Sequence, residues 1–297
     1  MSIEGHDPAA RLPLGTCDTH IHFYDHRYQP AATSVLRPPD ASVDDYQRVC
    51  GQLGISRCVV VQPTTYGLDN RCQVAAASAF GDDARLVVVI DDTVTEPELD
   101  EFDRQGGRGA RFHMLPGGVV GWESLAGVAA RIAERGWHIQ LQLDGRTLPH
   151  HIDDLLALPC GLVIDHIGRF MPPVRPEHPA FGALLTLVER GAWVKLSAPY
   201  ESDAAAAPDY PAASRLVQAL VAARPDRMLW ASNWPHPGQP APPSPSELAR
   251  LLRRWIPDPG LQQMILVDNP CELYGFDLRG FDSPAQEETG HDNSERA

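Results

Sequence analysis

The sequence predicts a single (β/α)8 TIM barrel, and three observations lead to this fold class. Eight apolar runs rich in β-branched residues recur along the chain, and a helix-like segment follows each of them. The runs are continuous rather than alternating, which is typical of parallel strands buried on both faces. Strand–helix alternation sustained over about 260 residues matches a barrel of this kind.

The predicted strands and helices alternate along the chain in a regular order. Several helices begin at residues that can cap a helix, namely Ser42, Asp69 and Ser246, and several end at glycine. The predicted strands are Cys17–His22, Cys58–Gln62, Leu86–Ile90, Gly109–Phe112, His138–Leu143, Leu162–Asp165, Trp193–Leu196 and Met228–Ala231. The predicted helices are Ser42–Leu53, Asp69–Phe80, Glu96–Gln105, Trp122–Arg135, His150–Ala157, Phe181–Arg190, Tyr210–Ala223 and Ser246–Ile256.

The barrel is expected to form one domain over residues 15–277, after an N-terminal arm at residues 1–14. The polar, acidic segment 278–297 is predicted to be a disordered tail. The proline-rich segment 235–245 is predicted to be a stiff, irregular loop over the barrel mouth. A doubly wound open sheet is the alternative, but no G-x-G-x-x-G follows the first strand, so its dinucleotide-binding version has no support.

Charge and cysteine usage limit the partners and the compartment. The chain has 25 basic and 39 acidic side chains, a formal net charge of −14. Nucleic acid and anionic membranes are therefore not expected partners, and an anionic small molecule must be met by a few local arginines. The six cysteines are scattered, the N-terminus lacks the apolar core of a signal peptide, and no apolar run suits a membrane span. These features predict free thiols in a cytoplasmic protein. They do not indicate which oligomeric state the protein adopts.

The first predicted strand ends in His20-Ile21-His22. Residues at i and i+2 of a strand face the same side, so both imidazoles are expected to face one pocket at the barrel mouth. There they could bind a metal or polarise a substrate carbonyl. The alternative is a pair of histidines that only hydrogen-bond backbone groups.

Polar side chains follow all the predicted strands, at the end where barrel enzymes place their chemistry. Any one of them could be a solvated or capping residue, but the set is hard to explain by packing. In strand order the residues are His20, His22, Gln62, Tyr66, Asp91, Asp92, Arg111, His113, Gln142, Asp144, Asp165, His166, Ser197, Tyr200, Asn233 and His236.

Three motifs, in order along the chain, resemble the amidohydrolase superfamily: His20-Ile21-His22, Val-Ile-Asp-His-Ile-Gly-Arg at 163–169, and Ser-Asn-Trp-Pro-His at 232–236. More narrowly, the chain is similar to the branch that contains 2-pyrone-4,6-dicarboxylate lactonase and galactarolactone isomerase. The resemblance runs from about Thr16 to Phe276, nearly the whole barrel. It implies an enzyme that acts on the ester carbonyl of a small carboxylated lactone, a sugar acid or an intermediate of aromatic degradation.

The resemblance also bears on metal binding. Zinc-binding members of the superfamily add a lysine or glutamate on strand four or a histidine on strand five, and an aspartate on strand eight. This chain has Arg111, Gln142 and Asn233 at the corresponding places. Three imidazoles could still hold zinc, from His20, His22 and His166, but the expectation is a site without a metal or other cofactor.

In such a site, His20, His22 and His166 are expected to hydrogen-bond the lactone carbonyl and stabilise its oxyanion. Arg111 is the expected partner of a substrate carboxylate, and Arg169 is a second candidate whose alternative role is to brace a loop. Further expected substrate contacts, with a supporting role as the alternative, are Tyr66, His113, Tyr200 and His236.

Asn233 separates two possible reactions. The resemblance implies that related lactonases have an aspartate at this position, which acts as the general base and takes a proton from the attacking water. An asparagine cannot take that proton. Hydrolysis is the superfamily default, with His113 or His236 as a substitute base. Isomerisation of a 1,5-lactone to a 1,4-lactone is the alternative that Asn233 favours, because the nucleophile is already part of the substrate. A non-catalytic binding protein is a further alternative, which the histidine set disfavours. A metal-dependent decarboxylase is another, which Asn233 disfavours.

Overall fold

The computed structural model describes residues 11–277 and confirms the predicted barrel, with eight parallel strands paired in chain order. The strands are β1 (Cys17–Ile21), β2 (Arg57–Val61), β3 (Ala84–Val88), β4 (Gly107–His113), β5 (His138–Gln142), β6 (Gly161–Ile164), β7 (Trp193–Leu196) and β8 (Met228–Trp230). Several hydrogen bonds link β8 and its following turn back to β1, including the following two. The Thr19 hydroxyl donates to the Trp230 carbonyl over 2.8 Å, and the Asn233 amide donates to the His20 carbonyl over 3.0 Å.

Helices connect the strands, and three short helices after β7 and β8 have no counterpart in the sequence prediction. Each of them has six residues or fewer, too few for a helical period to show in the sequence. The helices are α1 (Val43–Leu53), α2 (Arg71–Ser78), α3 (Glu96–Arg104), α4 (Trp122–Ala133), α5 (Ile152–Leu156), α6 (Pro179–Glu189), α7 (Tyr200–Asp203), α8 (Pro211–Ala223), α9 (Pro245–Trp255), α10 (Pro259–Gln263) and α11 (Asn269–Tyr274). The unpredicted helices are α7, α10 and α11.

Capping residues fix where the helices begin, and two predicted caps are wrong. Before α2 the N-cap position is occupied by Asn70 rather than Asp69, and its side chain makes no capping bond. Helix α9 is capped by Ser244 rather than Ser246, with Glu247 completing a capping box. The proline-rich segment therefore ends at the first residue of the helix, because Pro245 suits the first helical position.

The inside of the barrel is apolar at one end and polar at the other. A separate apolar cluster includes Tyr274 of α11 and the strand residues Cys17, Val59, Val61, Val87, Val163, Trp193 and Leu229. Lys195, two residues beyond Trp193, and Gln140, two residues beyond the buried His138, are completely buried and bring polar groups into the barrel. The sequence of the strands thus places polar chemistry at the C-terminal end of the barrel.

Parts of the predicted arm and tail lie outside the described residues, namely residues 1–10 of the arm and the whole of the tail at 278–297. Leu12, within the predicted arm, is buried, and its amide donates to the Leu53 carbonyl over 2.8 Å. Among residues 11–277, no helix has the length and apolar character to span a bilayer. All six cysteines are free; Cys50 and Cys160 are partly exposed and the other four are buried.

Candidate active site

A cavity of about 320 Å³ lies at the C-terminal ends of the strands. It brings together seven of the ten site residues predicted from the sequence: His22, Arg111, His113, His166, Arg169, Tyr200 and Asn233. Tyr24, Gln142 and Glu201 also line it. The other three predicted residues, His20, Tyr66 and His236, do not line the cavity. Their contacts are with neighbouring residues.

His22 is held through the nitrogen that faces the backbone. Its Nδ1 lies 2.7 Å from the carbonyl oxygen of Val61, which can only accept, so Nδ1 carries the proton. The Nε2 of the neutral ring is then an acceptor, 3.2 Å from the Nε2 of His20, which must donate. Burial lowers the pKa of both rings well below the ordinary value. Neutral His22 therefore has no ring N–H for a carbonyl, which differs from the donor role expected from the sequence.

A buried charge cluster lies against the other side of the His20 ring. Lys195 Nζ donates over 2.7 Å to the Thr19 carbonyl and over 2.7 Å to Gln140 Oε1, and lies 3.4 Å from His20 Nδ1. Asp165 Oδ1 lies 3.3 Å from the same ring nitrogen and 3.8 Å from Nζ. Burial lowers the pKa of Lys195 to about 8, although Asp165 opposes the shift. Burial alone would raise the pKa of Asp165, but the facing His20 and Lys195 hold it well below its usual range.

Lys195 was not predicted as a site residue, although the sequence carries a signal for it. It is the only lysine among the 297 residues, and it lies in an otherwise apolar strand. A fully buried ammonium is rare unless it is paired, so a single lysine in β7 indicates a dedicated partner. The structure identifies that partner as Asp165.

Arg111 projects from β4 and is almost fully buried. One of its terminal nitrogens donates over 2.9 Å to the Gln62 carbonyl, and the other donates over 2.6 Å to Gln142 Oε1. Each terminal nitrogen carries two hydrogens, so one N–H of each is left for a ligand in the cavity. Its Nε lies 3.7 Å from Asp165 Oδ2. Arg111 is thus rigidly placed with a free pair of donors, the arrangement that a carboxylate accepts.

His166 follows β6 and presents a donor to the cavity. Its Nδ1 lies 2.8 Å from the Ser197 hydroxyl. If that hydroxyl donates to Nδ1, the neutral ring carries its proton on Nε2. Burial lowers the pKa of His166, which favours this neutral form. Nε2 lies 3.8 Å from Glu201 Oε1, and a substrate oxygen could accept from it there.

Strained backbone surrounds the cavity in the turns after β6, β7 and β8. Non-glycine residues with positive φ angles are uncommon, and such strain gathers at functional sites where the surrounding structure enforces it. The φ angles are 53° at His166, 58° at Ile167, 44° at Ala198, 61° at Asn233 and 63° at His236. Arg169, with a φ angle of 48°, belongs to the same turn after β6. Four of these six residues are predicted site residues, and three of the four, His166, Arg169 and Asn233, line the cavity.

Asn233 is the first member of a hydrogen-bonded chain. Its Nδ2 donates to the Tyr200 hydroxyl over 2.9 Å, and that hydroxyl lies 2.8 Å from His236 Nδ1. Asn233 Oδ1 is buried and has no partner among the described residues. Burial lowers the pKa of His236 to about 4, so its ring is neutral and accepts the tyrosine proton. The chain holds the Asn233 amide in place and leaves its buried carbonyl oxygen unpaired among the described residues.

Tyr66 and His113 make local contacts. The Tyr66 hydroxyl accepts from the Asp25 amide over 2.9 Å, so Tyr66 braces the loop after β1 while Tyr24 lines the cavity. His113 lines the cavity with Nδ1 placed 3.2 Å from Gln142 Oε1. Burial lowers the pKa of His113 to about 3, so this ring too is neutral near pH 7.

Glu201, in α7, is the carboxylate that sequence reasoning missed. Gln142 Nε2 donates to its Oε2 over 2.8 Å, and Arg169 Nε lies 3.4 Å from the same oxygen. Glu201 lies five positions after the last residue of β7 and directly after Tyr200. Its position in a four-residue helix that was not predicted is the reason it was overlooked.

Three side chains group their ligand atoms closely enough to suggest a metal: those of His20, Asp165 and His166 lie within 4.8 Å of one another. Two cations already flank this group, because Lys195 Nζ and Arg111 Nε lie 3.8 Å and 3.7 Å from the oxygens of Asp165. A divalent ion here would face both of them in a buried, weakly screened environment. The charge around the donor set therefore disfavours a metal.

Comparison with known proteins places this geometry in context. The family described as Amidohydrolase matches residues 17–276. D-galactarolactone isomerase of Agrobacterium fabrum is 34% identical over 280 residues, covering 92% of this chain and 95% of the relative. A 2-pyrone-4,6-dicarboxylate hydrolase of Comamonas testosteroni is 32% identical, covering 90% and 92%. An apo crystal structure of an Agrobacterium tumefaciens protein superposes with a TM-score of 0.85 at 33% identity, covering 90% of this chain and 98% of that one.

Proposed function

This chain belongs to the amidohydrolase family of enzymes, and from that premise we propose that it isomerises a small carboxylated sugar-acid lactone, converting a 1,5-lactone into a 1,4-lactone. The observation that carries the proposal is Asn233, which lines the cavity where the resemblance expects an aspartate and whose amide cannot take a proton. The similarity to a D-galactarolactone isomerase supports the same reaction.

Hydrogen-bond donors of the cavity bind the substrate and activate its carbonyl group. Arg111 receives the carboxylate through its two free N–H groups, and His166 Nε2 donates to the lactone carbonyl. A preorganised donor of this kind contributes about 3 kcal/mol to transition-state stabilisation in a dry site. Lys195 adds a fixed positive charge behind the His20–His22 pair.

The reaction needs no external nucleophile. A substrate hydroxyl attacks the ester carbonyl carbon, the ring C–O bond breaks, and the departing oxygen takes up the proton that the attacking hydroxyl lost. No proton, water or electron is consumed overall. Intramolecular attack has a high effective molarity, worth about 7 kcal/mol in favourable cases, so it suffers less than hydrolysis from the missing base.

Hydrolysis is the second candidate, which the similarity to a 2-pyrone-4,6-dicarboxylate hydrolase favours. It requires a group that deprotonates water in place of Asn233. Of the substitutes expected from the sequence, His236 does not line the cavity and its Nδ1 already accepts from Tyr200, whereas His113 lines the cavity. The Glu201 carboxylate lines it as well, with Oε2 engaged by Gln142 and Arg169, and is a further candidate base for hydrolysis.

Proton NMR of an aldaro-1,5-lactone incubated with the enzyme tests the proposed function. We expect the 1,4-lactone to accumulate faster than in the enzyme-free sample, without a matching release of free diacid. Accumulation of free acid in step with substrate loss would identify a hydrolase instead.

We propose further that the site works without a metal, because Lys195 and Arg111 already supply positive charge around Asp165. Protein purified without added metal is expected to be active with substoichiometric zinc by elemental analysis, and to keep its activity in a chelator. Stoichiometric zinc, with activity lost on its removal and restored on its return, would contradict this proposal.

The activity is expected to decline on the alkaline side with an apparent pKa of about 8. Below that pH Lys195 is protonated and its charge supports Asp165 and His20; above it the charge is lost. The cavity histidines all have pKa values lowered by burial, so any limb that they add should lie on the acid side of the ordinary imidazole value. The measurement is kcat/KM from about pH 5 to about pH 10. An imidazole-like break near neutrality would contradict the expectation.

A further inference from the structure

Glu201 gives the cavity an unusual charge balance for a site that binds an anion. Among the lining residues the ionised side chains are Arg111, Arg169 and Glu201, so the lining carries two positive charges and one negative charge. Glu201 lies 3.4 Å from Arg169 Nε and neutralises that arginine. The net charge available to a ligand is therefore about +1, which Arg111 presents.

The same carboxylate leaves one oxygen free. Oε2 of Glu201 accepts from Gln142 and faces Arg169, whereas Oε1 is 3.8 Å from His166 Nε2, too far for a hydrogen bond. Glu201 lines the cavity, so a bound ligand must satisfy this oxygen with a donor or leave it unpaired at a cost.

We propose that Glu201 determines specificity by charge and hydrogen bonding: it restricts the cavity to lactones with a single negative charge and with a hydroxyl group that donates to Glu201. A second carboxylate on the lactone would meet Glu201 instead of a free arginine. A ring without hydroxyls would leave the free oxygen of Glu201 unpaired. This inference rests on the proposed action on carboxylated lactones, and it names the class of lactone.

Calorimetric binding of two probes tests the inference without requiring turnover. The probes are an aldaro-1,4-lactone, which has one carboxylate, and 2-pyrone-4,6-dicarboxylate, which has two and no hydroxyl group. The wild-type protein should prefer the monocarboxylate. In Glu201→Gln, which keeps the size of the side chain but removes its charge, the dissociation constant of the dicarboxylate relative to that of the monocarboxylate should fall about tenfold or more.

Two further variants serve as controls. Glu201→Asp keeps the charge and should keep the wild-type preference, which separates an electrostatic role from a merely structural one. Glu134→Gln removes one negative charge at the exposed end of α4, remote from the cavity, and should change neither dissociation constant. An unchanged preference ratio in folded Glu201→Gln, or a wild-type preference for the dicarboxylate, would overturn the inference.

The outcome is distinguishable from failure of the proposed function. If the wild-type protein converts no lactone yet shows the charge-dependent preference, the proposed reaction fails and the specificity role stands. If it isomerises the aldarolactone and Glu201→Gln leaves the preference unchanged, the reaction stands and the role of Glu201 is refuted.

Discussion

Replacing Lys195 with methionine is expected to destabilise the protein by about 3–5 kcal/mol, the usual range for breaking a buried ion pair by removing one partner. The substitution keeps an unbranched side chain in β7 but removes the hydrogen bonds to the Thr19 carbonyl and to Gln140. Asp165, completely buried, loses one of its balancing cations. Urea unfolding of the wild type and of Lys195→Met measures the difference.

Asp165→Asn provides the matched comparison. Because the cost arises mainly from an uncompensated carboxylate, the double variant Lys195→Met/Asp165→Asn should be less destabilised than the sum of the single variants. Strict additivity, or a loss below about 1 kcal/mol in Lys195→Met, would mean that the pair is not the strongly coupled cluster that its burial indicates.

Replacing Asn233 with aspartate is expected to raise the rate of lactone hydrolysis by a factor of about 10² or more, because a general base typically contributes 10²- to 10⁴-fold. The new carboxylate would stand where the Asn233 amide now contacts Tyr200, and a carboxylate can take a proton from water whereas an amide cannot. We expect free acid to become a major product. Product ratios from NMR time courses of wild type and variant measure the change.

Asn233→Ala is the control for this prediction. It removes the amide without adding a base, so it should lower isomerisation without increasing acid release. If Asn233→Asp folds and gains no hydrolysis, or if Asn233→Ala gains as much as the aspartate variant, then position 233 does not decide the reaction.

The barrel could be predicted from the sequence because its determinants are local. Continuous apolar runs specify strands buried on both faces, and capping residues such as Ser42 with Asp45 mark where helices begin. The predicted strands differ from the observed ones by at most two residues at either end. The positions that follow the strands converge in any such barrel, which is why most of the predicted site residues line one cavity.

The remaining features depend on contacts between distant parts of the chain. The Val61 carbonyl determines which nitrogen of His22 is protonated, and β2 brings that oxygen from about 40 residues away. Lys195 becomes part of the site only through Asp165 of the neighbouring strand end. Glu201 enters the cavity because α7, too short to have a periodic pattern, begins immediately after the β7 turn.

The central claim, that the nucleophile is the substrate's own hydroxyl, is tested most directly by running the reaction in water enriched in heavy oxygen. Mass spectrometry of the product should show no incorporation of the label into the lactone, because no water is added at the carbonyl. One labelled oxygen per converted molecule, appearing in free acid at the rate of substrate loss, would contradict the account and identify the enzyme as a lactone hydrolase.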